Sequence, residues 1–151
     1  MLMSMKKITI IGLITVAIIA AVVIFAGCVE KNQVDVNQVR KYADPITESI
    51  LLGMNGNNYS KYSKHFDQTM KNAVPEAVFN ETNNLIKSKI GDYVSKEFWK
   101  VESKGQYTTV YYKAKFTKET EHVTVKVVFQ EIMENAKVSG LWLDSPKLRK
   151  K

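Results

Sequence analysis

The apolar residues of this chain change period once, at Gly91, and that change limits what the chain can fold into. Before Gly91 they recur at intervals of three and four, the spacing of one helix face. After it they alternate, the spacing of one strand face. Val110, Tyr112, Ala114 and Phe116 alternate with Thr109, Tyr111, Lys113, Lys115 and Thr117. Val123, Val125, Val127 and Phe129 alternate with His122, Thr124, Lys126, Val128 and Gln130. Each strand therefore has one buried and one largely wet face, and the charges select which. A less regular strand is expected over residues 93–101 and a last one over 137–143, ended by Pro146. Helices followed by an antiparallel meander of about four strands make an α+β fold.

Three helices are expected ahead of the sheet. The first carries Val39, Tyr42, Ala43, Ile46 and Ile50 on one face. Asp44-Pro45 interrupts it, so either a helix begins with Asp44 as its cap or a longer one kinks at the proline. Gly53 and the run Asn55-Gly56-Asn57-Asn58 should end it. The second helix carries Tyr59, Tyr62, Phe66, Met70 and Ala73. The third starts at Pro75 and Glu76, with Val78, Phe79, Leu85, Ile86 and Ile90 as its stripe and Gly91 as its cap.

The other end of the chain addresses a membrane. Lys6 and Lys7 precede an uncharged, mostly apolar run from Ile8 to Gly27, a charged region followed by a hydrophobic one as in export signals. Twenty residues at about 1.5 Å each also match the roughly 30 Å of a hydrocarbon core. Phe25-Ala26-Gly27-Cys28 resembles the lipobox of prokaryotic lipoproteins, in which two small residues precede a cysteine that is lipidated and becomes the mature N-terminus. Phe25 stands where that pattern carries an aliphatic residue. A lipidated Cys28, a retained transmembrane anchor and plain secretion all put the remainder outside the cytoplasm, because the lysines stay inside. The expected organisation is a signal or anchor over 1–27, a polar tether over 28–38, one domain over 39–146 and a basic tail over 147–151. The location is the outer face of the cell membrane.

The net charge of +7 does not indicate nucleic acid. Lys6, Lys7, Lys147, Arg149, Lys150 and Lys151 account for most of it, which leaves the body of the domain close to neutral and without a basic groove. Cys28 is the one cysteine, so no internal disulfide is available and packing holds the fold.

Little in the chain points to catalysis. His65 and His122 are too few for a three-histidine site, and no motif places ligands at metal spacing. His65 and Asp67 lie two apart and diverge on a helix, so they make no local acid–base pair. No cofactor or metal is expected. Tyr59, Tyr62, Phe66, Tyr112, Phe116 and Trp142 are either core or the lining of an apolar pocket with a few hydroxyls. On the outer sheet face Tyr111, Lys113, Lys115 and Lys126 form an aromatic and basic stripe. It is either a solvated surface or a contact surface, including one between two copies of the chain. The basic tail is a candidate for contact with anionic lipid.

The order of elements resembles the nuclear transport factor 2-like superfamily, whose curved sheet wraps helices into a cone with a pocket. More specifically, the landmarks resemble the family known as domain of unknown function 3887. They are Asn58-Tyr59, Tyr62, His65-Phe66, Gly91-Asp92-Tyr93, Tyr111 to Phe116 and Val138 to Trp142, spread over residues 42–146. The resemblance implies a fold and no known reaction. The expected function is a membrane-held extracytoplasmic module that binds a protein or small molecule. The alternative is a small enzyme using a pocket acid or base.

Overall fold

A computed structural model describes residues 34–132 and 135–150. The export segment, Cys28 and most of the tether lie outside the described residues. Val34–Lys151 form one compact unit, and its buried hydrophobic residues run from Val39 to Val138, so it carries its own core.

The order is α1 (Val36–Asn55), α2 (Tyr59–Ser63), α3 (Gln68–Ala73), α4 (Glu76–Ile90), β1 (Tyr93–Lys104), β2 (Tyr107–Phe116), β3 (Val123–Ile132), β4 (Asn135–Asp144) and α5 (Pro146–Arg149). The strands form one antiparallel sheet in the order β1-β2-β3-β4. In β2 and β3 the expected faces hold: Val110, Tyr112, Ala114, Phe116, Val123, Val125, Val127 and Phe129 are all buried. Against them packs the apolar stripe of α1, from Val39 and Ala43 to Ile50 and Met54.

The helices differ from expectation in three places. α1 begins at Asp35, whose carboxylate accepts from the Asn37 amide at 2.9 Å, and it runs unbroken through Pro45. Of the two alternatives, the longer helix is the one that forms. Gly53 lies inside that helix, where a Cβ would meet the Tyr62 backbone nitrogen at 2.7 Å. It is needed for the close approach of α1 to α2 rather than for an exit. The exit comes at Gly56, followed by Asn57 at φ 46°, a left-handed conformation that asparagine tolerates.

The second expected helix is two helices. Between them Phe66 forms a parallel bridge with Val138 of the edge strand β4. The Asp67 amide donates to the Val138 carbonyl at 2.9 Å, and the Val138 amide donates to the His65 carbonyl at 2.8 Å. The backbone cannot make these bonds and helical ones together. The Asp67 carboxylate then caps α3 through the Met70 amide at 2.7 Å and accepts from Ser139 Oγ at 2.6 Å. The bridge also satisfies part of an edge strand that would otherwise be open to pairing.

Gly91 caps α4 as expected, at φ 78°, where a Cβ would run into Thr117 and Lys118. The expected basic tail is partly structured. Ser145 is buried and caps α5, the Lys147 amide donates to Glu119 at 3.1 Å, and Leu148 packs on the core. Arg149 pairs with Asp144. The reason is local: Pro146 suits a first helical position, and the serine before it supplies the cap.

Candidate functional site

A cleft of about 330 Å³ opens beneath the helices at the β4 edge of the sheet. Met54 of α1, Tyr62 of α2 and Met70 of α3 line it, with Val74 and five residues of α4: Val78, Phe79, Thr82, Asn83 and Ile86. Leu141, Trp142 and Leu143 of β4 and Leu148 of α5 complete the lining. The site is mainly apolar because the inner stripe of α4, Phe79, Asn83 and Ile86, faces it at helical spacing, with one polar member.

That member is Asn83, which is 1% exposed. Its Nδ2 donates to the Met54 carbonyl at 2.8 Å and to Asn57 Oδ1, tying α4 to the C-terminal end of α1. Its Oδ1 has no hydrogen-bond partner among the described residues. A buried amide oxygen left unpaired costs about 1–3 kcal/mol. Tyr62 is the one titratable residue in the lining. Burial, with Tyr59 adding to it, pushes its phenol up to about 12, so it stays neutral.

Of the six aromatics expected to line a pocket, the cleft brings together Tyr62 and Trp142. Tyr59 packs beside it on Phe79, with ring centroids 5.7 Å apart, and donates its hydroxyl to the Val74 carbonyl at 2.9 Å. Phe66, Tyr112 and Phe116 belong to the core. Trp142 is 53% exposed because a register shift between Val128 and Phe129 turns the second half of β4 over. Its ring meets Lys126 on the outer face, at 4.8 Å. Asn83 was not anticipated. The signal was present in the sequence, since it stands four residues after Phe79 and seven before Ile90 on the core line.

Two carboxylates on α1, one turn apart, are tied to the sheet. Asp44 accepts from the Tyr112 hydroxyl at 2.9 Å and from Arg40 Nε at 3.0 Å. Glu48 accepts from the Tyr93 hydroxyl at 2.7 Å and pairs with Lys96 at 2.8 Å. Burial, and then the carboxylate each phenol faces, raises Tyr93 and Tyr112 far above the ordinary tyrosine value. Burial alone would raise Glu48, but hydrogen bonds from Lys96 and Tyr93 outweigh it and lower the carboxyl. Asp44 is engaged through both oxygens and Glu48 through Oε2, and the pairs act as cross-ties between helix and sheet.

On the outer face a row of rings and cations crosses all four strands. A register shift after Phe98 sets Trp99 and Lys100 together on this face. Trp99 meets Tyr111 edge to face at 6.2 Å, and Lys100 and Lys126 flank the Tyr111 ring at 4.4 and 6.0 Å. Lys126 is also paired across the ladder with Trp142. Lys113 lies 4.9 Å from the Trp99 ring. Glu102 accepts from Lys100 and from the Tyr111 hydroxyl, and those bonds, Lys100 foremost, lower its carboxyl.

Neither histidine lines the cleft. Burial, with Lys64 and Lys137 nearby, lowers His65, and His122 is exposed ahead of β3. Among the described residues no group of three histidine, cysteine or acidic side chains converges. No curated protein matches the chain. The model of a family described as protein of unknown function (DUF3887) matches residues 47–141, from the middle of α1 to β4. The chain belongs to that family.

Proposed function

We propose that this DUF3887 member is a binding module, held at the outer face of the cell membrane, that takes a small neutral apolar molecule into the cleft beside Asn83. The observation that carries the reading is the unpartnered Asn83 Oδ1 in a mainly apolar lining, whose other polar members are Thr82 and the Tyr62 phenol. Such an acceptor favours a ligand with one O–H or N–H donor and disfavours a carboxylate. At roughly 30 Å³ for a water-sized group, the cleft holds on the order of ten non-hydrogen atoms. Oδ1 is covered in this state, so the donor reaches it by displacing a lining side chain. Met54 and Met70 are unbranched and adapt readily.

The membrane location rests on the apolar run before Cys28, with Cys28 as the lipidated residue. Helices ahead of a four-stranded meander also fit the cone of the nuclear transport factor 2-like superfamily. Binding is favoured over acid–base catalysis because the lining has one titratable residue, Tyr62, whose proton stays on until about pH 12.

The test uses residues 34–151, which carry their own core, and follows the methyl resonances of Met54 and Met70 by NMR. Addition of 1-decanol should shift both. Its methyl ether, matched in shape but unable to donate, should bind more weakly by about 1 kcal/mol or more. No shift with either probe rejects the cleft as a site. Equal affinity for the two keeps the cleft and rejects the role given to Asn83.

A further inference from the structure

The cleft is not the only feature without an assigned role, because the exposed face of the sheet carries an ordered surface of its own. We propose that this outer face docks on an anionic lipid bilayer. It does not depend on the cleft reading.

Three observations converge. First, the rings are Trp99, Tyr111 and Trp142, and both tryptophans are about half exposed, at 47% and 53%. Tryptophan and tyrosine favour the membrane interface, where an apolar body and a polar edge are both accommodated. Second, each ring has a lysine ammonium over it: Lys113 on Trp99, Lys100 on Tyr111 and Lys126 on Trp142, all within 5 Å. Rings and cations thus share one surface, as in segments that lie on anionic membranes. Third, lysines outnumber acids on this face: Lys100, Lys113, Lys115 and Lys126 stand with Glu97, across the ladder from Lys113, and Glu102, which Lys100 and the Tyr111 hydroxyl engage, so a net positive charge remains beside the tryptophans. A second copy of the chain is a poorer occupant, because face-to-face pairing would bring the two sets of lysines together. On the membrane location proposed above, the apolar run ahead of the domain would hold this face close to such a surface.

The chain has two tryptophans and both stand on this face, so its intrinsic emission reports this surface directly. Residues 34–151 are mixed with phosphatidylcholine vesicles with and without phosphatidylglycerol. Vesicles containing phosphatidylglycerol should shift the emission to the blue and sediment the protein, and salt should reverse both. Replacing Lys113 and Lys126 together by Gln should weaken partitioning by about twenty-five-fold, at about five-fold per lysine. Both side chains are at the surface, and circular dichroism checks that the fold is unchanged. Four results would overturn the proposal: emission unchanged by anionic vesicles, a double variant that partitions like the parent, an equal blue shift on soluble polyglutamate, or a blue shift that appears without lipid as protein concentration rises. The last would identify a second copy as the occupant.

Discussion

Tyr111 and Tyr112 are neighbours on one strand, and each gives its hydroxyl to a carboxylate, Tyr111 to Glu102 at 3.0 Å and Tyr112 to Asp44 at 2.9 Å. The bonds match in length and differ in setting. Tyr112 is 1% exposed, inside the core between α1 and the sheet, whereas the bond of Tyr111 lies open to water. In water, breaking a hydrogen bond exchanges one partner for another, while in the core it strands a group that water cannot reach. The inner face is therefore where the fold is held, and the outer face is free to be used for contact. Changes that treat the two alike should give very unequal results.

The largest inequality is expected on truncating an inward and an outward side chain of β2 to alanine. Tyr112→Ala empties a fully buried site and should cost about 3–5 kcal/mol, whereas Lys113→Ala, next along the strand, should stay within about 0.5 kcal/mol. Urea denaturation of residues 34–151 measures both. Equal losses would mean that the inner and outer assignments of β2 are wrong.

Next in size is the response to alkali. An unfolded tyrosine ionises near pH 10. In the folded protein burial holds Tyr62 to about 12, and burial with a facing carboxylate raises Tyr93 and Tyr112 further. Between the unfolded and folded values the unfolded chain has lost protons that the folded one keeps. Their contribution to stability is complete below about pH 10 and is lost as pH rises through the folded values. Phenolate absorbance should show these three of the seven tyrosines ionising only as the fold is lost. Smooth titration of all seven with the fold intact would contradict the burial described here.

Those buried phenols also mark where the sequence was legible. The faces of β2 and β3 could be read because alternation offers two registers and the lysines choose between them. The break between α2 and α3 could not. Phe66 fits a helical stripe, and what interrupts the helix is a backbone pairing with Val138, far along the chain. The path of α1 through Pro45 was left open for a related reason, since packing of Ala43, Ile46 and Ile50 decides it against local preference. Trp142 was expected among the pocket-lining aromatics, and it does border the cleft, but the register shift in β4 sets its ring beside Lys126 on the outer face. Asn83 was the reverse case, a polar residue on an apolar line that periodicity alone could have singled out.

A smaller effect is expected from removing only the buried hydroxyl. Tyr112→Phe keeps the ring and leaves Asp44 with Arg40 as its side-chain donor. The cost should be about 1.5 kcal/mol, the low end for a bond to a charged group, because Asp44 is partly open to water. A loss below about 0.5 kcal/mol would show that the cross-tie between α1 and β2 adds nothing beyond packing.

The smallest effect belongs to the matching change outside. Tyr111→Phe removes the hydroxyl that Glu102 accepts but keeps the ring between Lys100 and Lys126, and Glu102 retains Lys100. Water replaces the lost donor, so stability should change by less than about 0.5 kcal/mol. Ring–cation contacts depend on the face of the ring and not on its hydroxyl, so the row across the sheet should survive. Tryptophan emission of the free protein should stay as it was, since Trp99 packs on the ring of Tyr111 and not on its oxygen. A stability loss as large as that of Tyr112→Phe would mean that the outer network helps hold the fold, and the division of labour between the two faces would fail.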